Sequence, residues 1–478
     1  MARSRQHERI QRNDKDDDTI YKFLRIVKKY FPSLMNEFRK ADSTDPRKKN
    51  YIHYSLQFIL VMLFFKNALT ISSMTAMVSL FENSKVISNL MLFGFCKYAA
   101  IPCIKTINQV LAILPPSFLM KIRHKIIFTL IRSKRLNSGR FRKLWVCLVD
   151  GTQTYGGEIP INDHCLTKTH NRGKENEHTT YHRYVLEAKL WLFGTKYVFS
   201  LGTEFIENDP NAGPNDTRGQ EKVKQDCELA AFKRLAQSIK NEYPRLDIVF
   251  VFDALYVSQN VMQLCKDNNW HYVIRYKDGT ASSIMDEVNA AIKLKTFIDI
   301  PNQTNYTDIG FCSSIEYYGH FINFFKATSK PVLGENGKVI EKAMNFMWIT
   351  DLTIKRDPVC VLELISLGRG RWCIENQGFN RQKRWENLLE HLCSWNDTAL
   401  KNHYMLIQLA DIFRTLMEMD ENKAEEKKVY ASNGKYKSLK RAFTEVSNAL
   451  RESFKKSIIR ESVHWLELKV LIEYDAAV

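Results

Sequence analysis

The chain has 478 residues, a formal net charge of +17 and 45% hydrophobic residues, enough for more than one domain and for large buried cores. A pI of about 9.3 points to a polyanionic partner, nucleic acid first, with a merely basic surface as the plain alternative. Ten cysteines without a C-x-x-C pair, several inside apolar runs such as LWVCLVD, read as reduced thiols of a cytosolic protein and exclude a disulfide frame.

Residues 1–18 are charged, lack the apolar run of a signal peptide, and read as a disordered tail. Residues 19–143 read as a helical DNA-binding region. TIYKFLRIVKKYFPSLMNEFRK has helical apolar spacing, and PPSFLMKIRHKIIFTLIRSKR begins on prolines and ends basic. The longest apolar run, FILVMLFF at 58–65, stops at Lys66. A spanning helix needs about 20 residues, so this is a core helix and no membrane is implied.

The period changes near 144. LWVCLVDGTQ reads as a buried strand running into a turn at Asp150-Gly151. Residues 184–206 read as a hairpin around Gly194-Thr195, 219–243 as an amphipathic helix, and LDIVFVFDALY as a second buried strand ending in aspartate. A helix and the strand HYVIRYKDG follow, then a strand-rich insertion at 280–344 and the strand MNFMWITDL. From 357 the pattern is helical, interrupted by a solvated stretch at 420–438. This order predicts an α/β fold, a ribonuclease H-like mixed sheet with helices on both faces. The core occupies 144–279 and 345–418, and a helical region at 419–478 is assigned to oligomerisation.

Asp150 and Asp253 each close the apolar part of a strand expected at the sheet centre. In this layout the two strands are parallel neighbours, so both carboxylates lie at one sheet edge, where open α/β sheets place their sites. Aspartate after a strand is also a common turn-former. Two such carboxylates repel unless something positive lies between them. Hard oxygen ligands suit Mg²⁺ or Mn²⁺. Glu375, in RWCIENQGFN at 371–380, supplies a third carboxylate at a helix start expected beside the first strand. Two metals about 3.5–4 Å apart on such a triad serve in-line phosphoryl displacement. Arg371, one helical turn earlier, is placed to hold Glu375 or to contact a phosphate. A basic run at 132–143 supplies Lys134, Arg135, Arg140, Arg142 and Lys143 as candidate DNA contacts, with Lys383 as another.

His164, Cys165 and His170 lie close in sequence, but no second cluster accompanies them, and a structured loop explains them better than zinc. No phosphate-binding glycine loop is present; GRGRW at 368–372 is a basic turn. Paired carboxylates also serve glycosidases, which the charge of +17 disfavours.

The segments LWVCLVDGTQTY, INDHCLTKTHNRGKENEHTTYHRYVLEAKL, TEFIEND, VFDALYVSQNVMQLCKDNNWHYVIRYKDG and RWCIENQGFNRQK resemble bacterial insertion-sequence transposases. The group is the cut-and-paste DDE type with a β-rich insertion before the third carboxylate, and the resemblance covers about 85 to 415. It implies Asp150, Asp253 and Glu375 as ligands of two Mg²⁺ or Mn²⁺ ions. It also implies cleavage at terminal inverted repeats, strand transfer by the freed 3′-hydroxyl into target DNA, a homodimer on double-stranded DNA, and a cytoplasmic, nucleoid-associated protein. Relatives carry Tyr-Arg-Glu-Lys, spaced Y-x-x-R-x-x-x-E-x₆-K. Arg371 and Glu375 fit, whereas the Tyr position is Gly368 and the Lys position Gln382, with Lys383 next to it. A domesticated DNA-binding protein that no longer cuts, and a metal-dependent nuclease without strand transfer, are the alternatives.

Overall fold

The structure is a computed structural model that describes residues 19–94, 100–208, 226–301, 303, 305–333, 339–386, 389–431 and 443–456. The expected disordered tail, residues 219–225 of the expected helix, and the chain beyond 456 lie outside the described residues.

The N-terminal region is helical: α1 (Thr19–Tyr30), α2 (Leu34–Arg39), α3 (Leu56–Ala68), α4 (Met74–Phe81), α5 (Ser84–Gly94), α6 (Ile104–Leu111) and α7 (Pro116–Arg132). All thirteen residues of α3 are buried. A helix apolar on every side has no solvent face and becomes the axis around which others pack. Ser55 starts it by accepting the Phe58 N–H. Among the described residues, no helix is long and apolar enough to cross a membrane.

The sheet contains β1 (Trp145–Gly157), β2 (Leu166–His170), β3 (His178–Trp191), β4 (Val198–Ile206), β5 (Ile248–Phe252) and β6 (His271–Tyr276), with α8 (Glu228–Glu242) before β5 and α9 (Gln259–Asp267) before β6. Next come α10 (Ser282–Lys293), β7 (Ile298–Ile300), β8 (Tyr306–Tyr317), β9 (His320–Ser329), the small pair β10 (Val332–Leu333) and β11 (Val339–Glu341), and β12 (Asn345–Thr350). The order is β2-β3-β1-β5-β6-β12-β9-β8-β7, with β4 also on β3, ten strands in all. β1 is antiparallel to β3, β5 is parallel to β1 and to β6, and β12 runs antiparallel to β6. The insertion at 280–344 therefore opens with a helix, and β7, β8 and β9 prolong the central sheet.

Strand alternation sends Trp145, Cys147 and Val149 of β1, with Ile248, Phe250 and Phe252 of β5, into one core that α8 and the helical region share. Val146, Leu148, Val249 and Val251 face a second core with α11 (Pro358–Arg369) and the segment that follows it. The chain then forms two π-helical pieces, Ile374–Phe379 and Arg381–Glu386, the long α12 (Asp397–Ala431) and α13 (Phe443–Lys456). α12 packs on α1, α3, α6, α7 and β4, tying the helical region to the sheet.

Two sequence expectations fail. The turn at Asp150-Gly151 does not form, because β1 continues to Gly157 in register with β3. The solvated break at 420–438 does not begin at 420, because α12 runs unbroken to Ala431, across the boundary expected at 418/419. Residues 421–428 are nearly all strong helix formers. Tyr30 also donates to Asp420 at 2.7 Å, and Asn422 donates to the Tyr197 hydroxyl at 2.8 Å. Residues 432–438 lie outside the described residues.

His403 of α12 is buried, with Nε2 2.8 Å from the Asn108 side-chain oxygen. Burial, with the positive Lys66 nearby, pushes its imidazole down to about 3. The folded state thus keeps His403 neutral while the unfolded chain takes a proton below its ordinary value of about 6.5. The contribution is complete above that pH and is lost as pH falls toward 3, at up to about 1.4 kcal/mol per unit. Urea unfolding of His403→Gln between pH 7 and 4 should show a shallower acid loss than wild type, and an identical slope would rule out this assignment.

Candidate active site

Parallel pairing of β1 with β5 runs from Trp145↔Ile248 to Leu148↔Val251. Asp150 and Asp253 each lie two residues beyond the last pair, so they stand level on adjacent strands, about 5 Å apart at Cα. Strand parity puts both on the face of α11, with Val146, Leu148, Val249 and Val251. Asp150 is still within β1, opposite Glu187 of β3, whereas Asp253 follows β5 directly and precedes a single 3₁₀ turn, Ala254–Tyr256.

The third carboxylate arrives from the same side. α11 starts on Asp357, whose carboxylate accepts the N–H groups of Val359 and Cys360, with Pro358 in the first turn. It ends at Gly370, and Glu375 lies in the following π-helical piece, which packs against β1. Close approach of this turn to the sheet needs glycine twice. A Cβ on Gly368 would fall 2.6 Å from Trp348 Cε2, and one on Gly370 would overlap the Trp191 ring. Trp348 thus fills the space that a tyrosine at position 368 would need.

Arg371 joins the parts. Its Nη1 lies 3.0 Å from Asp150 Oδ2 and its Nη2 3.0 Å from Glu375 Oε1. Lys277, just past β6, stands 3.4 Å from Asp253 Oδ1. Burial pushes Asp150 up to about 7; Glu375 and Glu228 push the same way, and Arg371 opposes them. Asp253 goes the other way: burial is outweighed by the Ala254 N–H, Arg371 and Lys277, and its carboxyl is held below the usual range.

The donors are hard oxygens, a set that suits Mg²⁺ or Mn²⁺. As the side chains stand, no group of three or more His, Cys, Asp or Glu among the described residues is arranged to hold a metal ion. The Arg371 guanidinium fills the gap between Asp150 and Glu375 instead.

The other sequence candidates do not meet here. The 134–143 run precedes β1 and lies about 20 Å from Asp150 by strand rise. There Arg135 donates to the Lys29 carbonyl, Arg140 stacks on Trp145, and Arg142 pairs with Glu363. Lys134 and Lys143 are exposed. Lys383 pairs with Glu390 at 2.7 Å. Gln382 is fully buried, bonded to Gln408 and Asp411. His164 contacts the Asn208 carbonyl, His170 contacts Thr180, and Cys165 is buried, so the three are engaged separately.

Sequence reasoning missed four charged neighbours. Arg275 of β6 and Arg369 of α11 stack on Phe346 at 4.9 and 4.4 Å, and Arg275 lies within electrostatic reach of Arg369, Arg371 and Asp253. With Lys277 they form a cationic flank. Their signal was the basic strand end RYKD and the GRGR turn. The fourth, Glu228, opens α8 and had no local signal.

No family model matches the chain, and no curated protein matches it. Among solved structures it resembles a piggyBac transposase in a synaptic complex with hairpin DNA, at 10% identity and a TM-score of 0.40, over 94% of this chain and 84% of that one.

Two measurements check the site as built. A double-mutant cycle of Arg371→Ala with Asp150→Asn should give a coupling of about 1–3 kcal/mol in urea unfolding, and additive effects would dissolve the bridge. Gly370→Ala, acceptable to the helical backbone but overlapping Trp191, should lower stability by about 1–3 kcal/mol. A neutral effect would mean that the turn can draw back from the sheet.

Proposed function

We propose that this protein is a DNA transposase of the DDE type, which cleaves the ends of a mobile element and joins their 3′-hydroxyls to target DNA. The observation that carries the reading is the convergence of Asp150, Asp253 and Glu375, more than a hundred residues apart in sequence, at one end of the sheet around Arg371. The strand arrangement supports it: two antiparallel strands beside β1, then two parallel ones, is the order expected of a ribonuclease H-like core.

Two divalent cations, when bound, activate the attacking oxygen and stabilise the leaving one in an in-line displacement. Asp150, Asp253 and Glu375 are the residues to hold them. Arg371 donates through Nη1 to Asp150 and through Nη2 to Glu375, so it fixes both carboxylates. Lys277, Arg275 and Arg369 supply the positive flank along which a DNA backbone runs. Two copies of the chain hold the two element ends. The Lys position of the Tyr-Arg-Glu-Lys signature does not act on DNA here, because Gln382 is fully buried.

The test uses purified full-length protein, linear duplex DNA carrying the sequences that flank this gene, and Mg²⁺. Cleavage leaving 3′-hydroxyls, followed by joined products, is expected. Asp150→Ala, Asp253→Ala and Glu375→Ala should each abolish cutting while leaving DNA binding near wild type. Full cutting by any one variant would remove that residue from the site. Cutting without joining would reduce the protein to a nuclease, and binding without cutting by the wild type would leave only a DNA-binding protein.

A further inference from the structure

Glu228 is the first residue of α8, a fifteen-residue helix on the face of the sheet opposite α11. Its carboxylate nevertheless lies within electrostatic reach of Asp150 and Asp253, and the residues that admit it adjoin the two aspartates in sequence. Gly151 follows Asp150. Its backbone does not need glycine, since its φ is not among the positive ones. Space needs it: a Cβ there would fall 2.8 Å from the Glu228 carboxyl carbon, and the three nearest atoms all belong to Glu228. Gly151 is thus a window in β1 that Glu228 fills. Tyr256, buried in the turn after Asp253, is the second wall; its hydroxyl lies 3.4 Å from Glu228 Oε2.

Nothing nearby neutralises this carboxylate. Among the described residues Glu228 forms no ion pair, and its one side-chain hydrogen bond is the long one from a neutral phenol. Arg371, which acts electrostatically on Glu228, already has both guanidinium edges on Asp150 and Glu375. A half-buried acid beside two others without its own cation lacks a positive partner.

We infer that Glu228 is a fourth carboxylate of the site, which takes the divalent cation, directly or through a cation-bound water, together with Asp150 and Asp253. The inference rests on the metal-dependent reading above and deepens it. Glu228 enters from the face opposite Glu375, so cations between the strand ends would meet oxygen donors from both sides of the sheet. A plain structural role, an acid favoured by the positive end of α8, predicts a loss of stability alone.

Calorimetric titration of the full chain with Mn²⁺, without DNA, separates these cases. Glu228→Gln preserves shape and should weaken Mn²⁺ binding about 10–100-fold, the range typical of groups that support a metal site. Its melting temperature without metal should stay near wild type. Gly151→Ala should weaken binding similarly in the wild-type background but have little effect in Glu228→Ala, where the window is empty. This second comparison stands even if one single variant folds poorly. Asp150→Asn and Asp253→Asn serve as references. If they weaken Mn²⁺ binding and Glu228→Gln binds as wild type does, Glu228 is not part of the site. If neither aspartate variant loses affinity, the metal-dependent reading itself fails.

Discussion

The bridge from Asp150 through Arg371 to Glu375 is the interaction on which the arrangement turns. It joins a strand in the middle of the sheet to a helical segment 221 residues later. Without the guanidinium, two partly buried carboxylates would face each other and repel. The approach becomes possible because the turn carrying Arg371 has no side chains at 368 and 370, where Trp348 and Trp191 press against the backbone. Charge draws the segment in, and the two indoles set how close it comes.

The far end of that segment is held as firmly. Lys189 of β3 is wholly buried, donates to Gln408 at 3.1 Å and lies over the Phe379 ring. Gln382 and Arg381 bond to Asp411, and Arg381 also reaches Glu418. Glu375 is therefore fixed between the sheet end and α12. The same helix packs on α3, the buried axis of the helical region. A second buried link, in which Arg123 of α7 meets Thr203 and Ser200 while both hydroxyls donate to Glu187, joins that region to β3 and β4. Buried charges of this kind destabilise strongly when one partner is removed, so the two halves of the chain are bound by specific pairs as well as by apolar area.

Much of this was readable in the residues. Apolar runs with an aspartate at their end marked β1 and β5, and their parallel adjacency followed from the order of elements. Arg371 and Glu375, four apart, declared a shared face. What escaped was set by tertiary contact. Asp150-Gly151 reads locally as a turn, yet the strand continues, and the glycine answers to Glu228 from another element. Residues 420–431 read as solvated because they are charged, but they are also good helix formers with partners on α1 and beside β4. Gln382 looks from sequence like a lost cation, whereas the structure makes it an interior amide. The basic run at 134–143 is real, but several of its side chains are committed to nearby rings, carbonyls and acids.

The insertion adds strands to the main sheet, and this bears on how such a chain can change. β9 pairs with β12 along six residues, and β12 in turn covers β6. Excising 280–344 would strip β12 of its neighbour and leave a bare row of amides and carbonyls beside the strand that precedes Lys277, an invitation to intermolecular pairing. The segment can therefore drift in its outer turns and lengthen at its tip, but it cannot be shed as a detachable module without opening the seam next to the carboxylates.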